Sequence, residues 1–250
     1  MKKIVFVFFI FFLSAGAYSQ TTKMDSLLSK QPAKKVKTYL SAAVGASLPV
    51  SDFALKDINN PGSGFASLGY NINASLAWLF KKGWGISLLY RYQSNDLDKV
   101  ALAQQYNTKY PSVKFDIVST PWKVNAFMLG SYNSFPISES KDTYFDCKVM
   151  LGVVRSTSFG MTLTGKQGSG SATVTSPTAS ANAFGYCLGL GIHHQIAREL
   201  FVGFNVDYFQ TTVNYGEVAI TASNGATTPN TLSQKIGTVN LSLSIICRVD

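Results

Sequence analysis

The C-terminal segment of the chain, residues 237–249, alternates apolar and polar side chains almost without interruption. Side chains along a β-strand point to opposite faces in turn, so this alternation gives the strand two different surfaces. The apolar surface consists of Val239, Leu241, Leu243, Ile245, Cys247 and Val249. The polar surface consists of Thr238, Asn240, Ser242, Ser244 and Arg248, with Ile246 as its one apolar member. The length fits the roughly 9 to 11 residues that a tilted strand needs to cross a bilayer, so the segment predicts a transmembrane β-strand.

The N-terminus predicts a secretion signal. Met1-Lys2-Lys3 is basic, residues 4–13 are apolar, and Ala17-Tyr18-Ser19 is typical of a cleavage site. The apolar run is too short for the roughly 20 residues of a spanning helix. We therefore expect a signal peptide at 1–19, a polar periplasmic lead-in at 20–37 and a single β-barrel domain at 38–250.

The same period of two recurs in seven earlier segments, which we interpret as strands. They are residues 39–48, 70–80, 84–93, 122–132, 144–155, 183–196 and 200–210. Segment 122–132 is less clean than the others because both of its faces carry apolar residues. We place Lys123 and Phe127 on its inner face.

The connections between these segments alternate in length. Residues 51–69, 94–117, 157–182 and 211–234 make long connections, whereas 81–83 and 197–199 are short and 134–142 is intermediate. Short turns at one end and long loops at the other are typical of outer-membrane barrels. The pattern predicts an all-β fold, an eight-stranded antiparallel up-and-down transmembrane β-barrel, with periplasmic termini and extracellular long loops. Residues 97–106 can form a short helix in one of these loops.

One segment carries a resemblance to a known family. Residues 44–53, Val-Gly-Ala-Ser-Leu-Pro-Val-Ser-Asp-Phe, resemble the first strand and loop entry of the small outer-membrane β-barrel domain family common in Bacteroidetes. The resemblance implies an eight-stranded barrel in a bacterial outer membrane, with membrane lipid and the barrel-assembly machinery as partners. The chain departs from many such barrels by ending on Val249-Asp250 rather than on an aromatic residue.

Charge and cysteine content exclude several other classes. The formal net charge is +9, but no block of basic residues indicates a nucleic-acid groove. Cys147, Cys187 and Cys247 are odd in number, lie inside predicted strands and lack metal-ligand spacing. We expect free thiols, no disulfide framework, no metal site, no cofactor and no nucleic-acid partner.

The inner faces of the predicted strands carry ionisable residues. They are Arg91, Lys123, Asp146, Lys148, Asp207 and Arg248. An eight-stranded barrel is just wide enough for side chains to fill, so charges inside must pair or accept hydrogen bonds. We interpret the set as a structural polar network. The bulky inward residues Leu89, Phe127, Met150 and Phe201 further predict a closed lumen.

Catalysis has little support in the sequence. The resemblance leaves open a lipid-modifying barrel enzyme, and His193-His194 would be its only source of imidazole. The pair lies beside the short connection 197–199, at the wrong end for the outer leaflet, and no Gly-x-Ser-x-Gly frame is present. We expect both histidines to be structural and the protein not to be an enzyme.

The sequence thus predicts an integral outer-membrane barrel with a structural or surface-interaction role, whose long loops contact an extracellular ligand of unknown identity. Two alternatives stay open at this point. A small porin or hydrophobic-compound channel would need an open lumen. A soluble lipocalin-like carrier would need apolar residues inside the barrel and polar residues outside.

Overall fold

Eight antiparallel β-strands close into a ring in the part of the chain that the structure, a computed structural model, describes: residues 36–80 and 83–249. The elements in chain order are β1 Lys37–Val50, a 3-10 helix Ser51–Phe53, β2 Ala66–Leu79, β3 Trp84–Leu97, α1 Lys99–Lys109, β4 Lys114–Ser119, β5 Trp122–Pro136, β6 Thr143–Thr157, β7 Met161–Gln167, β8 Gly170–Ser176, β9 Ser180–Ala197, β10 Leu200–Ala222 and β11 Thr227–Val249. Neighbours around the ring follow the order β11, β1, β2, β3, β5, β6, β9 and β10, and pairing of β10 with β11 closes it. This confirms the predicted fold class.

The alternation in sequence separates the two surfaces of the ring. Large apolar side chains stand exposed on the outer surface and form what we call the apolar belt. Its members are Leu40, Val44, Leu48, Tyr70, Ile72, Ile86, Leu88, Phe127, Leu129, Val149, Leu151, Val153, Phe184, Leu188, Leu190, Ile192, Val202, Phe204, Val206, Leu241, Leu243 and Ile245. Leu243, for example, pairs with Val44 on one side and Phe204 on the other, so the belt continues from strand to strand.

The two faces of β5 are the reverse of the prediction. Trp122, Val124 and Met128 are buried inside, whereas Phe127 is 68% exposed on the outer surface. Both faces of this segment are apolar, so alternation does not decide between them. The register does, because Met128 pairs with the inward-facing Leu89 of β3. The placement of Lys123 and Phe127 in the lumen is therefore wrong.

Several predicted boundaries shift outward. The helix expected at 97–106 lies at Lys99–Lys109, and β10 and β11 extend well past the predicted strand ends. The predicted signal peptide and all but the last two residues of the predicted lead-in lie outside the described residues. Among the described residues, no helix is long and apolar enough to cross a membrane.

The two ends of the barrel differ in the length of their connections. The turns β2–β3, β5–β6 and β9–β10 lie at one end, the short-turn end, and the long connections lie at the other, the loop end. At the loop end, residues 211–222 of β10 continue as a hairpin with β11 for about 40 Å beyond the ring. Strands β4, β7 and β8 form a side sheet that joins β10 through the Thr221–Thr175 pair.

The tight curvature of the ring generates a prediction about Gly130, which faces the lumen from β5. A Cβ on Gly130 would stand 1.9 Å from the carbonyl oxygen of Val149 on the next strand, and backbone cannot yield as a side chain can. We expect Gly130→Ala to lower the free energy of unfolding by about 1–3 kcal/mol, measured by urea titration in detergent micelles. Gly170→Ala is the control, because nothing lies closer than 3.5 Å to its Cβ. Equal effects of the two changes would contradict this account.

Candidate functional site

An ion pair spans the full diameter of the barrel. Arg91 on β3 donates from Nη2 to Oδ2 of Asp207 on β10 at 2.5 Å, and both side chains are fully buried. In the order of the ring, β3 and β10 are separated by four steps in either direction, so they stand on opposite walls. The two side chains therefore meet across the lumen and block it at this height.

Further contacts complete the central cluster. Lys148 on β6 places its Nζ 2.8 Å from Oδ1 of Asp207, and Arg91 Nε donates to Asn73 Oδ1 at 2.9 Å. The Arg91 guanidinium also lies 5.6 Å from the ring centroid of Phe209. Asp207 thus serves two cations, and a polar side chain holds the arginine in place.

A bare backbone position makes room for this cluster. Gly189 on β9 pairs with Asp207 on one side and with Lys148 on the other. A Cβ on Gly189 would stand 2.3 Å from both Asp207 Oδ1 and Lys148 Cε. The glycine therefore lets the ammonium group reach the carboxylate across the face of β9.

A layer of amides and hydroxyls lies on the loop side of the ion pair. Thr238 Oγ1 donates to Gln93 Oε1 at 3.1 Å and accepts from Asn240 Nδ2 at 3.0 Å. Gln93 Nε2 donates in turn to Asn95 Oδ1 at 2.9 Å, and Asn95 bonds the carbonyl oxygen of Ser47. These side chains come from β1, β3 and β11, so the layer ties three strands together through the lumen.

The first long connection closes the loop end. Phe53, in the 3-10 helix, is fully buried and packs edge-on against Trp122 with ring centroids 5.6 Å apart. Trp122 Nε1 donates to the carbonyl oxygen of Gly64 at 3.1 Å, and Gln234 Nε2 donates to that of Gly62 at 3.0 Å. This connection therefore acts as a lid over the ring.

An aromatic group closes the short-turn end. His193 Nδ1 lies 2.6 Å from Asp146 Oδ2, and its ring stacks on Tyr144 with centroids 4.8 Å apart and an interplanar angle of 13°. Phe201 meets His193 edge-on at 5.2 Å, and Tyr39 contacts Phe201 at 6.0 Å. A cavity of about 50 Å³ lies between this group and the ion pair. It is far smaller than the roughly 300–1,000 Å³ of ligand pockets.

The predicted site residues fall into three groups. Arg91, Lys148 and Asp207 meet in the central cluster, whereas Asp146 pairs with His193 instead of a predicted cation. Lys123 is exposed on the outer surface because of the reversed faces of β5, as described above. Arg248 is half-buried at the short-turn end, where its Nη2 donates to the carbonyl oxygen of Arg198 at 3.3 Å.

Sequence reasoning missed the neutral members of the lumen network. Gln93, Asn95 and Asn73 share the inner face of their strands with Arg91, and this shared parity is the signal that could have found them. His193 was expected to be structural, but its partner Asp146 was not foreseen. Over the described ranges there is no cluster of three or more side chains that could hold a metal ion, and the three cysteines are free.

The loop end carries a small folded layer of its own. Asp98 caps α1 by accepting from the amide of Ala101 at 2.9 Å and pairs with Lys56 from the first long connection. The hydrogen bond from Lys56 holds the pKa of the Asp98 carboxyl below its usual value of 3.8. Beneath the helix, Leu102, Phe65 and Ile117 form a buried apolar cluster. Loop segments far apart in sequence therefore pack into one surface.

Comparisons with known proteins connect the chain to small barrels by fold only. No protein-family model matches it, and no curated protein matches it either. The chain is similar to the structure of Neisserial surface protein A, with 13% identity over 84% of this chain and 96% of that chain and a TM-score of 0.40. It is similar to Ail, the attachment invasion locus protein of Yersinia pestis, with 12% identity, coverages of 85% and 99% and a TM-score of 0.42. For a major outer membrane protein from Thermus thermophilus the values are 13%, 86%, 100% and 0.46.

The central cluster predicts a large penalty for losing its carboxylate. Asp207→Asn keeps the shape of the side chain but leaves Arg91 and Lys148 buried without a counter-charge. Breaking a buried pair in this way costs about 3–5 kcal/mol, which urea titration of the folded barrel would measure. Asp116→Asn, at an exposed position of β4, is the matched control and should change stability by less than about 0.5 kcal/mol. A similar small change for both variants would contradict a dry, paired cluster.

The cap of α1 predicts a pH dependence. Because folding lowers the pKa of Asp98, its stabilising effect is complete above the unfolded pKa and is lost as the pH falls through the lowered folded pKa. We expect the NMR signal of the Ala101 amide to titrate below pH 3.8, and Lys56→Gln to move that midpoint upward. Lys109→Gln, in the last turn of the same helix, should leave it in place. An unshifted midpoint in Lys56→Gln would rule out the Lys56 contact as its cause.

Proposed function

We propose that this chain is an integral outer-membrane β-barrel whose closed lumen anchors a loop layer that interacts with partners at the cell surface. The observation that carries the proposal is the combination of a continuous apolar belt outside with a dry ion pair across the lumen inside. The belt requires a hydrocarbon environment, and the ion pair excludes a pore. Together they leave the loop end as the surface available for function.

The belt supports a membrane location on physical grounds. Leu243 and Phe184 are each 67% exposed, and they belong to a band that encircles the ring. Soluble monomers do not expose contiguous apolar surface on this scale. Closure of the ring by β10 and β11 also leaves no strand edge unpaired, which is the condition for strands to span hydrocarbon.

Aromatic residues border the belt at both ends. Tyr186 and Tyr208 stand at the loop side, where both hydroxyls donate to Gln210 Oε1. Trp84 and Phe135 contact each other at the short-turn side, with ring centroids 6.3 Å apart. Tyrosine and tryptophan are enriched at membrane–water interfaces because their rings are apolar and their polar groups reach water. The two borders support a barrel that crosses a bilayer along its axis.

The orientation and the biogenesis route are part of the proposal. Outer-membrane barrels have short periplasmic turns and longer extracellular loops, so we assign the short-turn end and the termini to the periplasm. The predicted signal peptide and insertion by the barrel-assembly machinery fit that assignment. Membership in the small barrel family of the Bacteroidetes is supported by segment 44–53, whose Phe53 plugs the loop end.

The competing functions require features that the described residues oppose. A soluble carrier of apolar ligands needs a polar outer surface, whereas this one is apolar. A channel needs a continuous lumen, whereas the ion pair and two aromatic plugs interrupt it. Catalysis by His193 would need access for a substrate, but that side chain is 2% exposed and its Nδ1 contacts Asp146.

Bilayer recording tests the proposal directly. Purified protein refolded into phosphatidylcholine vesicles should acquire protease-resistant strands, and in planar bilayers it should show no steady ohmic pore. Shortening the connection 157–182 should not create one, because the Arg91–Asp207 pair lies inside the ring rather than in the loops. Reproducible unitary currents from the intact protein would overturn the closed-lumen function and support a channel. Failure to insert at all would overturn the membrane location.

A further inference from the structure

Two cations stand on the outer surface of the barrel at the loop-side border of the apolar belt. Lys123 on β5 and Arg155 on β6 are both exposed. The β5–β6 register pairs Lys123 with Thr157 and Asn125 with Arg155, so the two cations are diagonal neighbours on one face. Diagonal positions lie about 7–8 Å apart, within reach of long side chains. Lysine and arginine head groups at this spacing can approach the same anion.

The border with the belt is sharp at this point. On β6, Val153 and Leu151 follow Arg155 on the outer face and are 59% and 51% exposed. On β5, the outward residue Phe127 is 68% exposed and stands only four positions from Lys123. At about 3.3 Å per residue, the guanidinium of Arg155 stems from a point only about 7 Å above the apolar surface. That is the depth of lipid head groups when the belt lies in hydrocarbon.

Neutral hydrogen-bonding groups surround the two cations. In the strand registers, Tyr70, Ser94 and Lys123 form one row of outward positions, and Tyr92, Asn125 and Arg155 form the next. We call these six residues the rim patch. The rings of Tyr70 and Tyr92 lie 6.0 Å apart. Tyr90 donates to Asn125 Oδ1 at 3.0 Å, which leaves the amide hydrogens of Asn125 for another acceptor.

The charge of the rim patch is not balanced by carboxylates. The ion pairs found among the described residues involve Lys56, Arg91, Lys148 and His193 as cations, and neither Lys123 nor Arg155 takes part in one. The nearest acidic residue on β3 is Asp96, which is exposed one row closer to the loops. At the same border, the β9–β10 sector is different, because its Tyr186 and Tyr208 hydroxyls are already bonded to Gln210. The unmatched charge is therefore local to the β5–β6 sector.

We infer that the rim patch binds the phosphate head group of a lipid in the leaflet at the loop end. The guanidinium of Arg155 offers a fork of donors that matches two phosphate oxygens, and Lys123 adds a second positive charge. The amide of Asn125 and the tyrosine hydroxyls supply further donors, and Phe127 and Val153 offer an apolar wall for an acyl chain. This inference rests on the proposed membrane location and adds a specific lipid contact to it.

The test uses the full barrel in nanodiscs of phosphatidylcholine, with and without phosphatidic acid as the phosphate-bearing probe. Native mass spectrometry then compares the affinities of the barrel for the two lipids. A cation at an anionic membrane surface contributes a factor of about five, so the wild type should prefer phosphatidic acid about thirty-fold through the two cations together. The preference should fall about five-fold in Lys123→Gln and Arg155→Gln and disappear in the double variant.

The charge-matched control is the double variant Lys114→Gln, Lys166→Gln. These two exposed lysines face each other across the β4–β7 pair, away from the belt, and removing them changes the net charge by the same amount. The control should keep the full preference, and excess inorganic phosphate should not compete with the lipid. Equal loss in both double variants, or competition by free phosphate, would overturn the lipid site. A barrel that inserts but shows no preference would overturn the lipid site and leave the membrane location standing, whereas a barrel that does not insert would overturn both.

Discussion

The ion pair between Arg91 and Asp207 sets the character of the whole barrel. A ring of eight strands is narrow enough for side chains on opposite walls to touch, so one long arginine and one aspartate suffice to cross it. Each buried charge carries a desolvation cost of several kcal/mol, and this cost is offset only when every partner is in place. Lys148 and Asn73 supply those partners, and Gly189 leaves the space that they need. The lumen is therefore a polar core rather than a channel.

This polar core explains why the fold is an inverted version of a soluble protein. In a soluble barrel the hydrophobic effect drives apolar residues inward. Here Leu243 and its neighbours face outward, and specificity of strand order must come from the inside, where the described residues bond across strands rather than along them. Thr238, Gln93 and Asn95 connect β11 and β3 through the lumen, so each strand is fixed by polar contacts as well as by backbone ladders. Aromatic plugs at the two ends keep water from this network.

The sequence was sufficient for the strands, and insufficient for the contacts between them. Alternation identified all eight ring strands, because residues such as Ser242 and Leu243 differ strongly in polarity. It failed on β5, where Phe127 and Met128 are both apolar and only the register with β3 decides which faces inward. Arg91 and Asp207 were each assigned to the inner surface, yet they are 116 residues apart, and their equal height in the barrel follows from the accumulated stagger of the strands. The same reasoning could not anticipate the lid, since Phe53 reaches the interior from a connection rather than from a strand.

A closed lumen moves any function of such a protein to its surfaces, and the failed prediction for Lys123 bears on this point. Inside the lumen, Lys123 would have needed a carboxylate partner close by. Outside, at the border of the apolar belt, it joins Arg155 where the only abundant anions are those of the membrane itself. The position of one lysine thus separates two kinds of charge in this chain. Charges in the lumen are neutralised by the protein and hold the strands together, whereas charges at the rim are left for the surroundings to neutralise, which makes the lipid part of the folded structure.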